Sequence, residues 1–323
     1  MRDFHYKKYK AKSLYDYEPW RITEDKFKVE NNHHNESIFA LGNGYMGLRG
    51  TLEEDYSGPK ETTTPGFYIN GIYGSERIIY GEEAPNQPEE TQTIINLADW
   101  TSINIYIDGE KLDILKGEVV DYKRVLNMKD GYLKRSFFWI SPQGRRMKIN
   151  ITRLISLKYQ HNAVIKFTIK PLNFSEKAKI ISKIDGNVTN KHHFRKRKVM
   201  ETLDKGFSGY GAYLMQYAES TDLSVNLAVK HRINDNYKDD YYLEGSSGPD
   251  TVVYEYKFDL EKGKEFSLEK YVSIHTSLDI ARERLINRSF ENLNQAYNLG
   301  YEKLKKEQKV FLDDYWDDVD VVV

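Results

Sequence analysis

Ile103-Asn-Ile-Tyr-Ile-Asp-Gly-Glu-Lys-Leu-Asp-Ile114 decides the fold class. Side chains on a strand point alternately to opposite faces, so Ile103, Ile105 and Ile107 share one face. Asp108-Gly109 then offers the positive backbone angles of a two-residue turn, and Leu112 and Ile114 resume the apolar pattern on the return strand. Outward from this hairpin the same alternation recurs at Tyr132 to Ile140, Arg146 to Leu157, Val164 to Ile169, Leu223 to Val229 and Val252 to Phe258. Pro142-Gln-Gly144 punctuates the first two of these. From Trp20 to about Thr276 the chain is thus a succession of short strands. Without alternating helices a parallel doubly wound sheet has no crossovers, and the pattern predicts a mainly β, antiparallel sandwich. Ser57 to Pro65 and Gly245-Ser-Ser-Gly-Pro-Asp250 read as long mobile loops.

Beyond Thr276 the period changes. Leu278, Ala281, Leu285, Leu293 and Tyr297, then Tyr301, Leu304, Phe311, Leu312 and Tyr315, fall at helical spacings, with Thr276 or Ser277 as the expected cap and Gly300 dividing two helices. The expected division is a β domain over 1–276 and a helical linker over 277–323. The last residues, Asp317-Asp-Val-Asp-Val-Val-Val323, leave apolar side chains that want a cover, so the segment reads as unfinished.

With 323 residues, 39% hydrophobic and 30% charged, the chain buries a full-sized core. No apolar run approaches the roughly 20 residues that span a bilayer, and Met1-Arg-Asp-Phe-His-Tyr-Lys-Lys8 lacks the apolar core of a signal peptide. The absence of cysteine excludes disulfides and thiolate chemistry and suits a reducing compartment, so a cytoplasmic location is expected, with no membrane partner. Basic and acidic groups number 48 and 49, giving a net charge of -1 and no global field toward nucleic acid. The 25 Tyr, 14 Phe and 4 Trp suit strands and inter-sheet packing first and sugar stacking second.

Glu36-Ser-Ile-Phe-Ala-Leu-Gly-Asn-Gly-Tyr-Met-Gly-Leu-Arg-Gly50 reads as strand, Asn43-Gly44 turn and strand. Its glycines contain the dinucleotide spacing Gly-x-Gly-x-x-Gly, but Tyr45, Met46, Leu48 and Leu52 continue as strand where that fingerprint needs a helix, so no cofactor is expected. The basic run Lys191-His-His-Phe-Arg-Lys-Arg-Lys198 reads as a solvated hairpin end rather than a nucleic-acid patch. His33-His34 and His192-His193, taken as strand neighbours, point to opposite faces and make poor chelates, and no metal is expected. Asp313, Asp314, Asp317, Asp318 and Asp320 lack the central Gly and closing Glu of a calcium loop. Glu36, Glu53, Glu54, Glu82, Glu83 and Glu118 read as surface charge. A mutarotase-type site would pair a His with a Glu in one cleft, and none of His161, His231 or His275 carries a partner motif.

The Glu36 to Gly50 segment also resembles the opening signature of the glycoside hydrolase family 65 disaccharide phosphorylases. Further matches follow in the expected order: Gly66-Phe-Tyr-Ile-Asn-Gly-Ile-Tyr73, Asn96-Leu-Ala-Asp-Trp100, Ile107-Asp-Gly-Glu110, Arg124-Val-Leu-Asn-Met128, Phe138-Trp-Ile-Ser-Pro142, Pro171-Leu-Asn-Phe174 and Ile184-Asp-Gly-Asn-Val188. Ala98 and Asn127 depart from the usual Pro and Asp. The resemblance implies a super β-sandwich of galactose-mutarotase type, then linker helices, then an (α/α)6 barrel that carries the general-acid glutamate and the phosphate-binding groups. That barrel would begin where Val323 ends, so the resemblance implies no catalytic residue here and makes the barrel this chain's partner. The implied reaction is inversion at an α-glucosidic bond, with inorganic phosphate as co-substrate attacking the anomeric carbon while one carboxylic acid protonates the leaving sugar. Maltose, kojibiose, nigerose and trehalose are the implied disaccharides, and a homodimer the implied assembly. Asn43, Tyr45, Arg49 and Trp100 are the expected interdomain or rim residues. The alternative is a stand-alone carbohydrate-binding sandwich using exposed Tyr or Trp platforms.

Overall fold

A computed structural model describes residues 14–82, 85–190, 198–209, 211–238 and 240–319. The elements in chain order begin with β1 (Arg21–Glu24), α1 (Val29–Ile38), β2 (Leu41–Gly42), β3 (Met46–Leu48), β4 (Phe67–Ile69), β5 (Tyr73–Arg77), β6 (Glu90–Ile94), β7 (Ile103–Ile107) and β8 (Glu110–Lys111). There follow β9 (Glu118–Asn127), β10 (Tyr132–Ile140), β11 (Arg146–Ile155), β12 (Asn162–Pro171), β13 (Glu176–Asp185), β14 (Glu201–Ser208) and β15 (Gly211–Ala218). The chain closes with β16 (Leu223–Ile233), β17 (Tyr241–Ser247), β18 (Thr251–Leu260), β19 (Phe266–Thr276), α2 (Leu285–Leu299) and α3 (Tyr301–Val319).

Two antiparallel sheets form the sandwich. One has nine strands in the order β1-β9-β10-β11-β12-β19-β16-β15-β14, and the other five in the order β17-β18-β13-β7-β8. The Ile103 hairpin is built as its sequence requires. Asp108 and Gly109 both adopt positive φ (47° and 81°), Ile107 pairs with Glu110, and the Leu112 N–H returns to the Ile105 carbonyl at 2.9 Å. Ile103, Ile105 and Ile107 enter a common core with Ile180, Tyr256 and Phe258 of the same sheet and with Trp139, Ile149, Phe167, Leu227 and Val272 of the other.

A second apolar cluster lies on the far side of the nine-stranded sheet, where Leu154, Val164, Ala228 and Tyr271 meet Leu293 and Ala296 of α2 and Tyr301 and Leu304 of α3. The fold therefore has three layers. The central strands β11, β12, β16 and β19 are buried on both faces, which is why they show near-continuous burial instead of a clean alternation. Gly300, at φ 80°, separates α2 from α3 as its position in the sequence predicts.

Three sequence expectations are corrected. Residues 29–38 form a helix and not a strand, because the buried face of α1 is polar: Asn32, Asn35 and Glu36 point inward, so no apolar period betrays the helix. His33 and His34 consequently lie on a helix, both exposed. Thr276 does not cap α2. Its N–H and Oγ1 both donate to Asp279 Oδ2 at 2.9 Å, closing a turn, and α2 begins only at Leu285 with no side-chain cap. Gly245 to Ser247 belong to strand β17 and not to a loop. His192, His193 and the basic run up to residue 197, together with Glu83 and Asp320, lie outside the described residues. No helix among the described residues is long and apolar enough to cross a membrane.

Glu36, Glu53 and Glu54 are buried, contrary to their reading as surface charge, whereas Glu82 and Glu118 are exposed. Three arginines stand on adjacent strands, Arg124 on β9, Arg135 on β10 and Arg153 on β11; the last two account for Glu53 and Glu54, and the first for buried Glu24. Arg153 holds Glu53 at 2.5 Å, Arg135 reaches Glu53 at 2.8 Å and also binds Glu54, and Arg124 holds Glu24 at 2.7 Å. The same guanidiniums donate to the carbonyls of Arg49, Gly50 and Thr51, at 3.0, 2.9 and 2.8 Å. Burial alone would raise the Glu53 pKa, but Arg153 and Arg135 outweigh it and hold the carboxyl below its ordinary 4.5.

Arg135→Met is expected to cost about 3–5 kcal/mol of stability, read by urea denaturation, because two buried carboxylates lose their partner; a loss below about 1 kcal/mol would contradict the network. Since the folded pKa of Glu53 is depressed, its contribution is present above the unfolded value near 4.5 and is lost as pH falls through the folded value.

Candidate functional site

The β2–β3 hairpin carries two of the four residues expected at a rim. Asn43 does not adopt positive φ; that angle falls on Gly44 (φ 85°), and Asn43 works through its side chain. Its Oδ1 accepts from the N–H groups of Tyr45 (3.1 Å) and Met46 (2.9 Å), and its Nδ2 donates to the carbonyls of Ser156 (2.7 Å) and Gln160 (2.9 Å). An amide supplies both acceptor and donor here, so one side chain shapes the turn and fastens it to the end of β11.

Tyr45 reaches the other way. Its hydroxyl donates to Asp279 Oδ2 at 2.5 Å, and its ring stands edge-on to His161 with centroids 4.4 Å apart. Burial and then the Asp279 carboxylate raise the Tyr45 pKa far above its ordinary value, so the phenol stays protonated and keeps donating. His161 in turn lies parallel to His275, with centroids 4.1 Å apart and planes 13° apart. His275 accepts from Asn292 Nδ2 at 3.0 Å through Nε2, which leaves its proton on Nδ1 facing Ser289 Oγ at 3.4 Å. The row Tyr45, His161, His275, Asn292 thus runs from the hairpin to α2. It brings together two histidines that are far apart in the sequence and have no local motif, which is why spacing alone did not reveal the pair. Among the described residues the carboxylate beside them, Asp279, is engaged by Tyr45 and the Thr276 turn.

Arg49 faces away from this row. Its Nε donates to the Thr64 carbonyl (2.7 Å), Nη1 to Ser37 Oγ (2.7 Å) and Nη2 to the His33 carbonyl (3.0 Å), with Glu36 Oε2 at 3.5 Å. Glu36 also accepts from Thr63 Oγ1 (2.5 Å) and the Thr64 N–H (2.7 Å). Arg49 and Glu36 therefore pin the 57–65 loop to α1. Trp100, the fourth residue expected at the rim, is 0% exposed and packed edge-on against Phe67 at 5.9 Å in the inter-sheet core.

A buried lysine and a half-buried histidine also lie between the sheets. Lys270 donates from Nζ to the Lys183 carbonyl at 2.9 Å, and burial lowers its pKa to about 7. His231 meets Ser182 Oγ at 2.8 Å and is held well below its ordinary pKa by burial and then by Lys270. Both face the inter-sheet core, where His231 also stands edge-on to Tyr254 and Tyr256.

Burial, and after it the neighbouring His161, lower the His275 pKa from 6.5 to about 4. The folded pKa lies below the unfolded one, so stability from this site is complete above pH 6.5 and is lost as pH falls toward 4. On the order of 3 kcal/mol is at stake. His275→Asn is expected to flatten that part of the stability–pH curve, measured by chemical denaturation at a series of pH values; an unchanged slope would place the titration elsewhere.

The chain matches the family described as glycosyl hydrolase family 65, N-terminal domain, over residues 22–315. It is 38% identical over 320 residues to alpha,alpha-trehalose phosphorylase of Thermoanaerobacter brockii, covering 97% of this chain and 41% of that protein. It is 29% identical to kojibiose phosphorylase of Halothermothrix orenii (95% of this chain, 38% of that protein) and 26% identical to maltose phosphorylase of Bacillus subtilis (96% and 40%). A solved human-microbiome structure provisionally named a kojibiose phosphorylase shares the fold with a TM-score of 0.82 at 24% identity, over 93% of this chain and 38% of that one. The chain spans about two fifths of the length of these relatives. Its strands, its hairpin and the match across almost all of its described length agree, and the chain belongs to the N-terminal domain family of glycosyl hydrolase family 65.

Proposed function

We propose that this chain serves as the non-catalytic N-terminal domain of an inverting α-glucosidic disaccharide phosphorylase. In that reaction phosphate attacks the anomeric carbon, a carboxylic acid protonates the leaving sugar, and β-glucose 1-phosphate is released. The single observation that carries the reading is the family match over 22–315 in a chain that spans two fifths of three named phosphorylases. Trehalose is the first substrate to test, because identity to the trehalose phosphorylase, at 38%, exceeds that to the kojibiose and maltose enzymes.

The chemistry of the carboxylates supports a bracing role. A general acid needs a raised pKa and access to the glycosidic oxygen. Glu53 has a lowered pKa and, like Glu24 and Glu54, spends its oxygens on buried guanidiniums. The surfaces assigned to the (α/α)6 barrel are the hairpin tip at Gly44 and the outer side of α3, where Val310, Phe311 and Tyr315 are exposed. Residues 1–276 form the sandwich and 277–323 the linker in this reading. Homodimerisation, a cytoplasmic location and inorganic phosphate as co-substrate without an organic cofactor complete the proposal.

The purified 323-residue chain, incubated with phosphate and trehalose, kojibiose, nigerose or maltose, is expected to release no β-glucose 1-phosphate; release above a no-protein control would overturn the non-catalytic reading. In a chimera that places this chain in front of the remainder of the Thermoanaerobacter brockii enzyme, Phe311→Asp with Tyr315→Asp is expected to lower trehalose phosphorolysis by about tenfold or more, equivalent to ~1.4 kcal/mol. An undiminished rate would remove α3 from the interface.

A further inference from the structure

The outer face of the five-stranded sheet is covered by neither helix and lies apart from the hairpin site. Across it, cross-strand partners place Tyr242 (β17), Lys257 (β18), Lys179 (β13) and Tyr106 (β7) in one transverse row. Directly opposed side chains share a face, so these four project together from the sheet. The row borders an open trough of about 940 Å³, within the size range of small-ligand sites.

The two tyrosines stand at opposite ends of the row, three strand spacings or about 14 Å apart. Tyr106 is fixed upright between two ammonium groups, Lys179 Nζ at 4.9 Å and Lys111 Nζ at 5.7 Å from its centroid, and Lys111 is itself paired with Asp55. It forms a rigid wall. Tyr242 is 61% exposed and has Lys257 Nζ 5.5 Å from its centroid, leaving ring surface free for stacking.

Charge selects the ligand. Lys177, Lys179 and Lys257 line the trough together with Asp108, Asp240 and Asp259, so positive and negative groups balance. Beside this lining Glu255 lies 2.8 Å from Lys257 and 3.5 Å from Lys179, and Glu244 3.8 Å from Lys257, so the acids are in slight excess over the lysines. Such an array disfavours a phosphate, and with its lysines paired to carboxylates it offers alternating donors and acceptors beside an exposed aromatic ring. Those are the requirements of a neutral polyhydroxylated chain whose apolar ring faces stack while its hydroxyls hydrogen-bond.

We propose that this trough is a binding site for a neutral linear oligosaccharide, with Tyr242 as the stacking platform and Tyr106 as the opposite wall. A span of about 14 Å makes an oligosaccharide the better ligand than a single hexose, which would reach only one wall. The site lies wholly within this chain and does not rest on the phosphorylase reading, so the two are tested separately.

The probes are maltotetraose and cellotetraose, titrated into the purified chain by calorimetry at millimolar concentration without phosphate. Saturable binding of at least one is expected, weakened about tenfold or more by Tyr242→Ala. Lys257→Met, which keeps the stem and removes the charge, is expected to weaken it less. Tyr17→Ala, removing a ring 90% exposed ahead of the remote edge strand β1, is expected to leave it unchanged. Thermal unfolding of each variant establishes that it is folded. No binding of either tetrasaccharide overturns the proposal, as does equal binding by folded Tyr242→Ala. Tighter binding of a sulfated oligosaccharide would overturn the neutral-ligand assignment, and self-association abolished by Tyr242→Ala in analytical ultracentrifugation would assign the face to a second copy of the chain instead.

Discussion

Three guanidinium groups in the interior set the terms for this domain. Arg124, Arg135 and Arg153 are among its most deeply buried side chains, and an unpaired charge at that depth is intolerable. Glu24, Glu53 and Glu54 balance them one for one, but a carboxylate leaves some guanidinium protons unspent, and the backbone of Arg49 to Thr51 accepts those. The charge requirement thereby fixes a stretch of chain in space. Gly50 sits where this stretch crosses α1: its N–H donates to the Glu36 carbonyl at 2.7 Å, and a Cβ there would lie 2.6 Å from the Phe39 carbonyl oxygen. Only glycine allows the approach. Downstream, the Glu53 carbonyl accepts from the Ile103 N–H, carrying the same constraint into the first strand of the opposite sheet. The network ties α1, the hairpin and both sheets into one body.

Layering then decides which surfaces remain for partners. The helices α2 and α3 spend their apolar face on the nine-stranded sheet, while the five-stranded sheet keeps its outer face open. This asymmetry leaves exposed aromatic surface on β17, at Tyr242, and on the outer side of α3, at Phe311 and Tyr315. At both places the ring is free of a neighbouring layer.

What the sequence disclosed follows the same physics. Hairpins with one wet face were readable, and the limits of β10, Tyr132 to Ile140, are those the alternation predicts. Strand β19 was obscure because Lys270, Ser273 and His275 interrupt its apolar run while being buried like their neighbours. Helix α1 was misread because its inward side is amide and carboxylate, a pattern that hydrophobic periodicity does not register. Glu24, Glu53 and Glu54 resemble surface glutamates until their arginines, some eighty to a hundred residues away in the chain, are brought beside them. At the candidate site Asn43 and Tyr45 drew notice through the glycines around them, whereas His161, His275 and Asp279 gave no local signal. Their contacts are long-range, and long-range contacts leave no spacing to read.

Such contacts also indicate how the hairpin site works. Asn43 and Tyr45 are each held at several points, Asn43 to the end of β11 and Tyr45 to the turn before α2. Both fastenings leave Gly42 and Gly44 outside, exposed at the tip. A side chain at φ 85° would strain the turn, and open space around Gly44 means nothing within the domain demands its small size for packing. The glycine is there for backbone shape, and the surrounding side chains hold that shape still. The tip is linked through Tyr45, His161 and His275 to Asn292 of α2, so side-chain contacts tie it to the helical layer. That is the mechanical property which the bracing role proposed above would use.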